Sequence, residues 1–110
     1  MLTKNELPDC PVATVLRILN SKWKIYILQK LLERPYRFNE LKNSIQGISK
    51  KVLSDSLRQL EMDKIICKKI SGDKPPFKTE YFLSKLGENL RSLLKEIYDW
   101  GIFYLQHKNI

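Results

Sequence analysis

"GISKKVLSDSLRQLE", residues Gly47 to Glu61, reads as a tight turn followed by an amphipathic helix. Leu53, Leu57 and Leu60 recur at helical spacing and form one apolar stripe, while Lys51, Ser54, Asp55 and Arg58 fall on the other side. Ser49 stands at the N-cap, where a hydroxyl can accept a first-turn N–H that the helix itself leaves unpaired. Gly47 suits the left-handed position that ends a preceding helix. That preceding helix is expected to be capped by Asn39 and to run through Leu41 and Ile45 to Gln46. Two helices joined by a tight glycine-containing turn make a helix-turn-helix.

Upstream, Pro11 fits the first position of a helix, which puts Cys10 at its N-cap. Val12, Val15, Leu16 and Leu19 form its apolar stripe. Ser21 can cap a second helix from Lys22 to about Glu33. Trp23, Ile25, Tyr26, Ile27, Leu28, Leu31 and Leu32 leave that helix little polar surface, so it is expected at the buried centre. Pro35 ends it, and Tyr36–Phe38 is a short extended piece. Downstream, the period changes to alternation over Ile65–Ile70, "SGDKPP" is a turn, and "FKTEYFL" is a second strand, which predicts a two-stranded hairpin. Ser84 caps a long last helix, residues 84–108. Leu86, Leu90, Leu93, Ile97, Trp100 and Tyr104 follow one another at steps of 4 and 3, the seam of packed helices.

The chain has 110 residues, 43% of them hydrophobic, enough for one domain with a core of its own. Residues 1–110 are read as that single domain, with 1–9 a flexible N-terminal arm. Twenty Lys and Arg against 12 Asp and Glu give a net charge of +8, which favours a polyanionic partner. The two cysteines, Cys10 and Cys67, are too few for a secreted disulfide framework, and no apolar run has signal-peptide or membrane-spanning length. A cytoplasmic protein with no membrane partner is expected.

Helices, a helix-turn-helix, a hairpin and a closing helix amount to a winged helix: mainly α with a small β-hairpin. In this architecture the second helix of the motif enters the major groove and the hairpin reaches the adjacent backbone. The recognition set is Ser49, Lys50, Lys51, Ser54, Asp55 and Arg58; the wing and backbone set is Arg37, Asn39, Lys74 and Lys78. From Lys68 to Thr79 there are four lysines against one aspartate, and Pro75-Pro76 would stiffen the tip. A polar outer face is often merely solvated and edge lysines often only blunt a strand. Their coincidence on one architecture favours double-stranded DNA.

These residues resemble the HxlR family of bacterial winged-helix transcription regulators. "CPV" at Cys10 is followed at the family's interval by "KWK" (Lys22 to Lys24), then "RFNEL" (Arg37 to Leu41), the helix quoted above, Pro75-Pro76, Glu80-Tyr81, "LSKLG" ending at Gly87, and Trp100-Gly101. The resemblance implies a homodimer on an inverted-repeat operator, with the first and last helices in the interface. Its expected residues are Val12, Val15, Leu16, Leu19, Leu90, Leu93, Ile97, Trp100 and Tyr104. The chain departs from the family in having Asn20-Ser21 for two glycines and Lys64 where a glycine commonly follows the aspartate. In several members of that family the cysteine matching Cys10 senses electrophiles or oxidants. At a helix start its sulfur would lie at the positive end of the dipole, which favours thiolate. The alternative is a small residue packed at the dimer interface. Cys67 is expected to be a buried apolar filler.

Catalysis has little to work with. His107 is the one histidine, so neither a Cys/His zinc site nor a histidine-based triad can be assembled, and no glycine-rich phosphate loop follows a strand. No metal or other cofactor is expected, and the sequence assigns no inducer. The rival reading is a protein-interaction or membrane-surface module built on the apolar last helix, where Ile102, Phe103, Tyr104 and Leu105 stand in a row.

Overall fold

The computed structural model describes residues 10–109. In chain order these form α1 (Pro11–Ile18), α2 (Lys22–Glu33), β1 (Tyr36–Arg37), α3 (Phe38–Ser44), α4 (Lys50–Met62), β2 (Ile66–Ser71), β3 (Lys78–Leu83), α5 (Lys85–Glu88) and α6 (Leu90–His107). The strands make one antiparallel sheet in the order β1-β3-β2. Helices with this small sheet at one side make a winged helix-turn-helix.

The core lies where the apolar stripes meet. Ile27 and Leu28 of α2, Leu41 of α3, and Leu53 and Leu60 of α4 are fully buried, and Leu57 nearly so. Ile65 and Ile66 at the start of β2 and Leu83 at the end of β3 close the cluster from the sheet side. Two serines fix the helix starts: Ser21 Oγ accepts the Lys24 N–H at 3.2 Å, and Ser49 Oγ accepts the Val52 N–H at 3.1 Å. Gly47 has φ +86°, so the turn between α3 and α4 uses its left-handed freedom.

Several expectations are corrected. The hairpin is not alone. Tyr36 and Arg37 pair with Tyr81 and Glu80, adding a third strand that anchors the wing to the helix-turn-helix. Asn39 does not cap α3, which begins one residue before it at Phe38; Arg37 holds the cap position. Glu40 reaches back to accept the Arg37 N–H at 2.8 Å, the bond that the third residue of a helix makes to its N-cap backbone in a capping box. The helix ends at Ser44, not Gln46, and β3 begins at Lys78, leaving Phe77 in the turn. The last helix is two: α5 closes at Asn89, with α6 following. Cys67 is half-buried, since its face of β2 is only partly covered.

Candidate nucleic-acid interface

The outward face of α4 carries Lys50, Lys51, Ser54 and Arg58, all exposed, directly behind the buried Leu53, Leu57 and Leu60. Burial of the leucine stripe therefore sets the rotation of the helix and fixes which side chains it presents. Asp55 sits between the cations. Its carboxylate accepts from Lys51 Nζ at 3.4 Å and from the Arg58 guanidinium at 3.2 Å, each one helical turn away. Such exposed pairs stabilise little, about 0.3–0.5 kcal/mol each. Their effect here is positional: they hold two long basic side chains along one ridge. Ser49 Oγ accepts one cap hydrogen bond, which leaves its hydroxyl hydrogen and a second lone pair to offer outward.

The second group of expected residues comes together through β1. Because β1 pairs with β3, Arg37 and Asn39 line an open groove of about 520 Å³ with Lys78 and Phe77. Arg37 and Lys78 are both exposed. Lys74 is not part of this groove; it stands exposed in the turn between β2 and β3. Lys68, on β2, is drawn toward α4 by Glu61 at 3.9 Å. Arg34, which sequence reading passed over, stacks its guanidinium 3.8 Å from the centre of the Tyr36 ring and pairs with Glu40 at 3.4 Å. Glu40 is consequently held below the ordinary glutamate range, first by the Arg37 N–H and then by Arg34. The basic residue just before Pro35 and the acidic one in the first turn of α3 were the available signals.

The expected interface residues divide. On α1, Val12 and Leu16 are 64% exposed and Val15 is half-buried, whereas Leu19 is buried in the protomer's own core. On α6, Leu93, Ile97, Trp100 and Tyr104 are exposed, Leu90 is half-buried, and Leu94 is the residue that the protomer buries. Cys10 is exposed at the start of α1, and its sulfur makes no cap hydrogen bond. Arg17 near the end of α1 reaches Asp63, the C-cap of α4, at 3.4 Å, so the two helices are tied directly. Among the described residues no three His, Cys, Asp or Glu converge on a metal-sized site, and no helix is long and apolar enough to cross a membrane.

Known proteins share this arrangement. Residues 18–109 match the HxlR-like helix-turn-helix family. YkvN of Bacillus subtilis, described as an uncharacterised HTH-type transcriptional regulator, is 34% identical over 100 residues, 91% of this chain and 84% of that one. The reduced form of the redox regulator HypR superposes with a TM-score of 0.81 at 28% identity, covering 86% of this chain and 93% of that one. The reduced form of the transcriptional regulator YodB from B. subtilis gives 0.74 at 29% identity, covering 84% and 91%. The chain belongs to the HxlR-like helix-turn-helix family of DNA-binding transcription regulators.

Proposed function

We propose that the chain acts as one domain, as a homodimer on an inverted-repeat site in double-stranded DNA, with α4 in the major groove. Lys50, Lys51, Ser54 and Arg58 would face base edges and flanking phosphates, Asp55 would hold Lys51 and Arg58 in place, and Ser49 would donate to a phosphate. Arg37, Asn39, Lys78 and, at the wing tip, Lys74 would follow the adjacent backbone. The observation that carries the reading is the ridge on α4: two clamped cations on the exposed side of a helix whose other side is fully buried. Selection of bound sites from random DNA tests it. A palindromic site should emerge, and Arg58→Ala should lose about 1–3 kcal/mol on it if Arg58 reads a guanine. A loss equal on all sequences would instead make Arg58 a phosphate contact, and undiminished binding would remove it from the interface. Steep weakening by salt separates this reading from a hydrophobic interaction module.

The dimer reading rests on α6. Past Leu94, its apolar residues Ile97, Tyr98, Trp100, Ile102 and Leu105 are all 40% exposed or more. A Cβ placed on Gly101, two turns beyond Leu94 on the same stripe, would meet nothing within 4 Å. A face this apolar is normally covered, and a second copy with its own exposed Val12 and Leu16 is the complementary surface. Residues 84–108 would thus serve dimerisation.

Cys10 would be the point of redox control, in keeping with the description of HypR as a redox regulator. Its thiol is exposed at the helix that Arg17 ties to α4. The arm of residues 1–9 that precedes Cys10 lies outside the described residues. With diamide as oxidant, two thiols lose two electrons and two protons to the reagent and join as a disulfide. Strain on α1 would then move α4 against a fixed half-site spacing. Gel shifts with diamide should show the wild type releasing DNA and Cys10→Ser retaining it. Equal loss in both, or no response in either, would make Cys10 a structural residue.

A further inference from the structure

The wing carries an aromatic side chain that the protomer leaves half in solvent. Phe77, in the turn just before β3, is 52% exposed. Phe38, which lines the same groove, packs against the hydrophobic core, and Phe77 stands outside that cluster. The ring is nevertheless held in place. A Cβ built on Gly72, at the other end of the turn, would lie 3.8 Å from the Phe77 ring, so the Gly72 backbone, at φ +114°, approaches the ring closely. Pro75 and Pro76 directly before it limit how far the chain can move.

Cations flank this ring. Lys78 follows it in the chain, Lys74 stands in the same turn, and Arg37 lines the groove from the α3 side; all three are exposed. Glu40, the carboxylate of the groove, is committed to the Arg37 N–H at 2.8 Å and to Arg34 at 3.4 Å. Asp73 is the acidic residue of the turn itself. An apolar ring set among cations matches the edge of a DNA strand, where phosphates alternate with sugars. The electron-rich face of the ring repels phosphate, so the C–H groups of deoxyribose are the part of that edge it can meet. Single exposed aromatics are ordinary on protein surfaces. What sets Phe77 apart is its fixed place between cations, on a hairpin that β1 ties to the helix-turn-helix.

We propose that Phe77 is a minor-groove contact, its ring packed on deoxyriboses beside the half-site that α4 occupies, while Arg37, Lys74 and Lys78 hold the flanking phosphates. The proposal rests on the DNA-binding reading and deepens it: to a set of cations it adds a contact that salt does not screen. Proteins that bind the minor groove frequently place apolar side chains there, phenylalanine among them.

The test pairs hydroxyl-radical footprinting, which reads the exposure of deoxyribose in the minor groove, with affinity titrations at several salt concentrations, on a duplex selected by the wild-type chain. Wild type should protect sugars about five base pairs, half a helical turn, outside the centre of each half-site. Phe77→Ala should lose that protection and bind about five- to tenfold more weakly, the scale of a partly buried phenylalanine, with the salt slope unchanged. Phe77→Leu keeps apolar bulk and should stay within about threefold of wild type. Lys78→Ala should instead reduce the salt slope by about one. Undiminished binding by Phe77→Ala, protection that persists in it, a changed salt slope, or a leucine variant as weak as the alanine one would each overturn the proposal and leave the DNA reading standing. A wild type that binds no duplex would overturn the DNA reading itself, so the two failures are told apart.

Discussion

Lys64 and Gly87 show how much a single backbone position can carry. Lys64 has φ +67°, in the left-handed region where a Cβ is crowded and glycine is favoured. The next carbonyls along, those of Lys64 and Ile65, face the Ser84 hydroxyl at 2.6 and 2.9 Å, and Ser84 Oγ accepts the Gly87 N–H at 3.0 Å. A Cβ on Gly87 would overlap the Ile65 carbonyl oxygen, which is backbone and cannot swing away. Gly87→Ala should therefore destabilise the protein by roughly 2–3 kcal/mol, as overpacking of a rigid site does; thermal unfolding close to that of wild type would show that α5 shifts freely. Lys64→Gly should do the opposite, raising stability by about 0.5–1 kcal/mol by removing the left-handed strain, net of glycine's extra entropy in the unfolded chain. Urea midpoints compare the two directly, and a lower midpoint for Lys64→Gly would mean that the lysine side chain contributes more than its backbone costs.

At the level of elements, α3 is where the sequence misled. Asn39 is a good cap by residue type, and Arg37 a poor one, so local preference placed the helix start two residues late. Pairing of Tyr36 and Arg37 with β3 fixes the backbone just before Phe38 and forces the turn to begin there. Glu40 then completes the cap. Its carboxyl is held below the ordinary value of 4.5 in the folded protein. A depressed pKa means that ionised Glu40 contributes stability above about pH 4.5, and that this contribution fades as pH falls through the lower folded value. Glu40→Gln should accordingly unfold at lower denaturant than wild type near neutral pH, with the gap narrowing below pH 4.5. A gap independent of pH would assign the effect to hydrogen bonding alone.

For the whole molecule, α6 is the element on which the proposed dimer depends. Arg91 anchors its first turn by donating to the Leu32 carbonyl at 3.2 Å and pairing with Glu88 at 2.9 Å. Leu94 is then buried, and beyond it the helix has little of its own protomer to pack on. Gly101 is costly there by about 1 kcal/mol relative to alanine in an isolated helix, with no contact inside the protomer to justify it. Gly101→Gln should leave the protomer as stable or more so, yet shift sedimentation toward monomer at micromolar concentration if a second copy approaches at that point. An unchanged dimer would place the contact elsewhere on α6, and a monomeric wild type, with and without DNA, would remove the dimer altogether.

The sequence by itself determined the order of the first four helices and the two wing strands, the buried stripe of α4 and its basic ridge. Each depends on interactions within one or two turns: leucine periodicity, the Ser21, Ser49 and Ser84 caps, and the φ +86° of Gly47. The ordered motifs from Cys10 to Gly101 also carried the family. Only the tertiary structure decided the third strand, because two residues have no period to read and become a strand by pairing with Tyr81 and Glu80. It alone joined Arg37 and Asn39 to Lys78 across a groove, separated Leu19 from the exposed α1 residues, and buried Lys24 in a helix otherwise read as apolar. Those facts depend on which distant segments meet, and local preference carries no record of that.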